Sequence, residues 1–168
     1  GEAAKAKALE LIPEGSEVMT MTSVTTDSIG LSSILNESGK YNAVKPKLYA
    51  LDRNTQGREM KKMGTAPEYS VGSVQAITQD GKILLVSATG SQLPGYAYGS
   101  DKVIWIVGAQ KIAANLDAAL KRTQDYVFPL ESERAKKAYG VPGSIMAKTL
   151  IVNNEVVPGR ITVIIVKE

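Results

Sequence analysis

The chain has 168 residues, no cysteine, no histidine and a formal net charge of +3. That composition excludes a disulfide framework, a cysteine nucleophile, a thiolate-bound iron–sulfur cluster, the usual zinc sites and a Ser-His-Asp triad. The charge is too small to argue for nucleic acid or an anionic membrane as a partner.

With 43% hydrophobic and 22% charged residues the sequence reads as one soluble domain over residues 1–168, long enough to bury a full core. No stretch approaches the roughly 20 apolar residues of a membrane span, and no secretory signal is visible. A cytoplasmic location fits the lack of cysteine. The chain opens at Gly1-Glu2 without Met, which leaves room for a native segment ahead of it. Proton chemistry near neutral pH falls to a carboxylate, a lysine, a tyrosine or a bound ligand. No metal or cofactor is expected.

In chain order, Glu2 to Ile12 has the Ala, Lys, Glu and Leu content of a helix, ended by Pro13-Glu14-Gly15. Ser16 to Met21 reads as a strand. Thr25-Thr26-Asp27 opens a helix whose Ile29, Leu31, Ile34 and Leu35 recur at helical spacing. Lys47 to Leu51 reads as a second strand and Asn54 to Met63 as a charged helix. Tyr69 to Thr78 and Lys82 to Ser87 read as two strands of a hairpin, because Asp80-Gly81 lies between apolar runs. Ser91 to Gly99 holds Pro94 and Gly95 and reads as a short helix or irregular segment.

Lys102 to Val107 lacks polar alternation, as a strand covered on both faces does. Its Trp105 is assigned to the core. Asn115 is placed as the N-cap of a helix through Leu116, Ala119, Leu120 and Tyr126. Pro129 fits the first turn of a further helix closed by Gly140. Ala147 to Val152 and Arg160 to Val166 read as a terminal β pair. Strands alternating with helices indicate an α/β fold, a three-layer α/β/α arrangement around a mixed, mostly parallel sheet.

In such sheets ligands bind beyond the carboxyl ends of strands, near helix N-termini. Two loops fit that place. The first is Thr22 to Asp27, whose Ser23, Thr25 and Thr26 offer hydroxyls and backbone N–H groups to an anion. The competing reading is a capped helix with Thr25 or Thr26 as N-cap. The second is Thr89-Gly90-Ser91-Gln92. There Gly90 permits close approach of a ligand, Ser91 caps the next segment, and Gln92 both donates and accepts. The competing reading is a plain strand-to-helix turn.

Gln75 is polar within a strand and faces either a pocket or solvent. Glu68, before a strand, is either a general acid/base or an exposed carboxylate. Lys111, at a strand end, either binds an anionic substrate or lies exposed, and Arg160 carries the same alternatives.

The stretches "IPEGSEVMTMTSVTTDSIGL", "EYSVGSVQAITQDGKILLVSATGSQLPGYAYGSDKVIWIVGAQKI", "NLDAAL" and "PGRITVIIVKE" resemble the LUD-domain family, of the lactate utilization protein C type. The resemblance implies a NagB/RpiA/CoA-transferase-like fold, shared with ribose-5-phosphate isomerase, 5-formyltetrahydrofolate cyclo-ligase, methylthioribose-phosphate isomerase and initiation-factor regulatory subunits. "SVQAITQDGKILLVSATGSQL" is similar to the segment where the last two carry Gly-Ala-Asp-Ala-Ile. Gln75 then stands where the isomerase has its catalytic aspartate, and an amide exchanges no proton at neutral pH. "TSVTTD" is similar to the Gly-Ser-Thr-Thr phosphate loop of ribose-5-phosphate isomerase, without its glycines. Some LUD relatives carry C-terminal cysteines, which this chain lacks.

The resemblance implies a role in L-lactate oxidation to pyruvate beside iron–sulfur partner proteins, with a small anionic metabolite bound at the strand-end loops. Two alternatives stand beside it. One is an independent isomerase- or transferase-type enzyme acting on phosphorylated or acyl substrates, in which Glu68, Asp27 or Lys111 would titrate. The other is a non-catalytic ligand-binding or scaffold protein. A homodimer is compatible with all three.

Overall fold

A computed structural model describes residues 1–167. The chain forms two compact units. The first comprises Gly1–Ser73, Pro94–Ala109 and the segment from Glu155 on, and the second comprises Val74–Leu93 and Gln110–Asn154.

The first unit is built on a five-stranded sheet, every pair of which is parallel. Its strands are β1 (Glu17–Thr20), β2 (Asn42–Ala43), β3 (Tyr69–Gly72), β6 (Lys102–Gly108) and β9 (Ile161–Val166), in the order β2-β1-β3-β6-β9. Alternation along each strand decides which side chains meet which layer. Val18, Tyr69, Val71, Ile104 and Ile106 form one face with Val166. On it pack Ala4 and Ala8 of α1 (Glu2–Glu10), with Ile12 just beyond, and Leu31 and Leu35 of α3 (Leu31–Glu37). Ala4 and Ala8 are one helical turn apart, and their small side chains bring the helix close to the sheet.

Trp105 points to the opposite face, wholly buried. There it meets the ring of Tyr96 edge to face, with centroids 5.3 Å apart and planes at 73°. Tyr96 belongs to a π-helical turn, Gly95–Gly99. Helices therefore cover both faces of a parallel sheet, as the α/β class requires.

The second unit holds a four-stranded mixed sheet in the order β7-β4-β5-β8. Its strands are β4 (Ala76–Thr78), β5 (Ile83–Ser87), β7 (Ile112–Ala113) and β8 (Lys148–Val152). The β4–β5 hairpin turns through Gln79-Asp80-Gly81 as expected. Gly81 N donates to Thr78 O at 2.9 Å and Thr78 N to Lys82 O at 2.8 Å, the pattern of a three-residue loop. Ala119 of α6 (Leu116–Arg122) packs on Ala76 and Leu84. Asn115 caps α6 through its side chain, which accepts from Ala118 N at 2.9 Å. A second π-helical turn, Thr123–Val127, joins α6 to α7 (Phe128–Tyr139), which has Pro129 in its first turn and ends at Gly140.

Four expectations are corrected. Lys47 to Leu51 is not a strand: Lys47 to Ala50 belong to α4 (Val44–Ala50), and Leu51 is its C-cap. Its buried residues Val44 and Leu48 are four apart, and Lys45 sits over the Tyr49 ring at 6.0 Å, another i,i+4 pair. Tyr69 to Thr78 is not one strand, because β3 and β4 lie in different sheets. Residues 147–152 and 160–166 do not pair with each other: β8 runs antiparallel to β5 and β9 parallel to β6. The helix expected after Thr25-Thr26-Asp27 is two, α2 (Val24–Ser28) and α3, separated at Ile29-Gly30. The charged helix is α5 (Arg53–Thr65).

Candidate functional site

The two loops singled out in the sequence fall in different units: Ser23, Thr25 and Thr26 in the first, and Gln75, Thr89, Gly90, Ser91, Gln92 and Lys111 in the second. In the first, the N-cap is Ser23 rather than Thr25 or Thr26. Its Oγ accepts from Thr26 N at 3.3 Å. Thr26 is buried; its Oγ1 donates to Ser23 O at 3.1 Å and accepts from Ser32 Oγ at 3.0 Å. Thr25 contributes its carbonyl to Ser28 Oγ at 3.0 Å. The Ser23 and Thr26 groups are thus spent on holding α2 and α3, and α2 has only five residues.

The second loop follows β5. Ser87 Oγ, buried at the strand end, donates to Gln92 Oε1 at 3.0 Å and accepts from Gly90 N at 2.8 Å. Ser91 N donates to Thr89 Oγ1 at 3.3 Å, and Thr89 Oγ1 donates to Ser91 Oγ at 3.2 Å. Those bonds consume the Gly90 and Ser91 N–H groups and make a tight turn.

Gly90 has φ +84°, and a Cβ there would lie 2.6 Å from Lys148 Cδ. A side chain at Gly90 would strain this left-handed backbone and push the flexible Lys148 chain aside. Lys148 comes to the loop because it faces Ser87 in the β5–β8 register, and it has no ion-pair partner among the described residues. Sequence reasoning missed Lys148, since pairing β8 with β9 left it far from the loop. The Lys148 ammonium, the Ser91 hydroxyl and the Gln92 amide are groups of the kind that donate hydrogen bonds to anions. The loop itself carries no carboxylate.

Gln75 faces neither a pocket nor solvent alone. Val86 N donates to its Oε1 at 2.9 Å and its Nε2 donates to Val86 O at 3.3 Å, so the amide stands in for the backbone partner that β4, which begins one residue later, does not supply. Arg122 Nη1 fixes the Gln75 carbonyl at 2.7 Å and its Nε reaches Gln110 O at 3.3 Å. Burial lowers the Arg122 pKa from its ordinary value. Lys111 lies half-buried in the short turn Ala109–Lys111.

Glu68 is exposed ahead of β3, where its Oε2 accepts from Glu17 N at 3.1 Å. That is the amino end of the parallel sheet, opposite the carboxyl end where α/β ligands gather. A hollow of about 120 Å³ at the same end is lined by Tyr69, Lys102 and Arg160 among others. Its cations are already engaged. Lys102 Nζ donates to Gly159 O at 2.9 Å. Arg160, 7% exposed, donates to the carbonyls of Ser100 (3.0 Å), Tyr96 (2.9 Å) and Gly95 (3.3 Å) and pairs with Glu155.

No cluster of three or more His, Cys, Asp or Glu able to hold a metal occurs among the described residues, and no helix among them is long and apolar enough to cross a membrane.

The family model of the LUD domain matches residues 1–166. The chain belongs to the LUD-domain family. No curated protein sequence matches this LUD domain significantly. It is similar to the crystal structure of a duf162 family protein from Deinococcus radiodurans, with a TM-score of 0.53 and 11% identity over 100% of this chain and 84% of that one. At that identity the likeness speaks to the fold alone. Weaker superpositions relate the LUD domain to eIF2B beta from Chaetomium thermophilum (TM-score 0.45, 15% identity, 68% of this chain and 43% of that one). Another relates it to ribose 5-phosphate isomerase from Plasmodium falciparum (TM-score 0.37, 12% identity, 82% and 64%).

Proposed function

We propose that this LUD-domain protein takes part in L-lactate utilization, the oxidation of lactate to pyruvate. In this reading it is a cytoplasmic protein of the lactate utilization protein C type within the NagB/RpiA/CoA-transferase-like superfamily, with residues 1–168 acting as one LUD domain. The observation that carries the reading is the family match over residues 1–166. Lactate oxidation releases two electrons. A chain without cysteine or histidine has no side chains for a cluster of its own, so the electrons pass to iron–sulfur partner proteins. Its part is to bind a small carboxylate, with Lys148, Ser91 and Gln92 around the Gly90 turn as the contacts.

A second reading, ligand binding without turnover, has a specific observation in its favour: the loop lacks a carboxylate. An independent isomerase or transferase would have to use Lys148 as its acid/base group there.

The test is thermal unfolding with L-lactate. A ligand at a hundredfold its Kd stabilises the folded state by about 2.7 kcal/mol, and the shift is expected to vanish in Lys148→Ala. No shift with L-lactate, or an equal shift in Lys148→Ala, would overturn the loop as the binding site. Failure of the protein to associate with iron–sulfur partners would overturn the lactate-oxidation role.

A further inference from the structure

The first unit contains two buried donors that the site above does not use. Tyr96 is 1% exposed and Trp105 0%, and neither the Tyr96 hydroxyl nor the Trp105 indole N–H finds a hydrogen-bond partner among the described residues. Buried donors are almost always paired, because an unpaired one forfeits its hydration. Two such groups on rings in contact call for an explanation.

Their position supplies one. Trp105 is in register with Gly72, the last residue of β3. A side chain at Gly72 would collide with the Tyr96 hydroxyl and stand 3.0 Å from Met21 Cβ. Gly72 thus keeps open the place where the hydroxyl lies. The pair is at the carboxyl end of β3 and next to the end of β1, where α/β sheets bind ligands. Tyr96 sits on a π-helical turn, a feature that recurs at functional sites, and Arg160 holds its carbonyl in place at 2.9 Å. Burial raises the phenol pKa, and the indole N–H lies near enough to the phenol oxygen to oppose that rise, without the alignment of a formed hydrogen bond.

We propose that Tyr96 Oη and Trp105 Nε1 bind one acceptor oxygen, the carbonyl oxygen of a small oxo acid. Both donors are neutral. They match the partial charge of a carbonyl and do not offset the dehydration of a phosphate dianion. The Arg160 guanidinium cannot serve, because it is committed to three carbonyls and Glu155. Met21, an unbranched side chain that can change rotamer, is the group that yields to admit the ligand. The choice of an oxo acid rests on the proposed role in lactate oxidation; the donor pair itself does not.

Trp105 is the only tryptophan, so ¹⁵N-labelled protein shows a single indole N–H resonance. Titration with sodium pyruvate is expected to move its proton downfield saturably. Tyr96→Phe, which removes only an unpaired hydroxyl, is expected to keep the melting temperature and weaken the pyruvate response about tenfold. An indole resonance that pyruvate does not move, one that moves equally in Tyr96→Phe, or one that inorganic phosphate moves as much overturns the proposal. A pyruvate-dependent thermal shift with a silent indole would defeat the donor pair and leave the lactate-oxidation reading standing. A responsive indole without association with iron–sulfur partners would do the reverse.

Discussion

Arg160 opens β9 with a charge that the core has absorbed. Its fork of donors matches three carbonyls that the Gly95–Gly99 turn and Ser100 leave without strand partners. Arg160→Met would take the guanidinium from those carbonyls, leaving Gly95 O with Ser100 N at 3.2 Å, and strand the Glu155 carboxylate. A cost of about 3–5 kcal/mol is expected in chemical denaturation, with Arg160→Lys failing to restore it because an ammonium cannot bridge the same acceptors. Glu155 adds a pH dependence. Val157 N donates to its carboxylate at 2.9 Å and Arg160 pairs with it, which together hold its pKa below the ordinary 4.5. A lowered carboxylate pKa stabilises above the unfolded value and is lost as pH falls through the folded one. Unfolding midpoints are therefore expected to fall on acidification below about 4.5, and to fall less in Glu155→Gln. From the sequence, Arg160 was a choice between a ligand contact and an exposed charge. Burial by a distant turn was not legible in its neighbours.

Gln75 shows the same limit for an element. Its alternation with Val74 and Ala76 marks it as the polar position of a strand, yet β4 begins only after it, and its amide replaces the missing backbone rung to Val86. Gln75→Glu keeps an acceptor for Val86 N but sets a carboxylate against the Val86 carbonyl. The expected loss is about 1–3 kcal/mol by urea denaturation, and no gain of isomerase activity accompanies it. Where local signals govern, the elements were legible: Asp80-Gly81 as a turn, Asn115 as a cap, Pro129 and Gly140 at the ends of α7. Where an element is decided by what covers it, they misled. The residues from Lys47 to Leu51 alternate well enough for a strand, but burial of Val44 with Leu48 makes them helical as far as Ala50.

Across the whole molecule, β9 is the last strand among the described residues and the outer neighbour of β6 in the first sheet. A chain ending at Asn154 loses β9, Glu155 and Arg160 together. It is expected to expose Trp105, seen as a red-shifted tryptophan emission, and to lose cooperative unfolding of the first unit; a blue, unchanged emission would show that β6 needs no partner on that side. The sequence by itself determined the α/β class, the apolar strands, the caps and turns, and the chemistry ruled out by having no cysteine or histidine. Those follow from local backbone preference and side-chain type. Only the tertiary structure decided that β8 and β9 part company, that Lys148 lies over Gly90, and that Tyr96 and Trp105 share a buried corner at Gly72. Each is a contact between segments far apart in the chain, and pairing at that distance is chosen by the register and burial of the whole sheet rather than by any residue's neighbours.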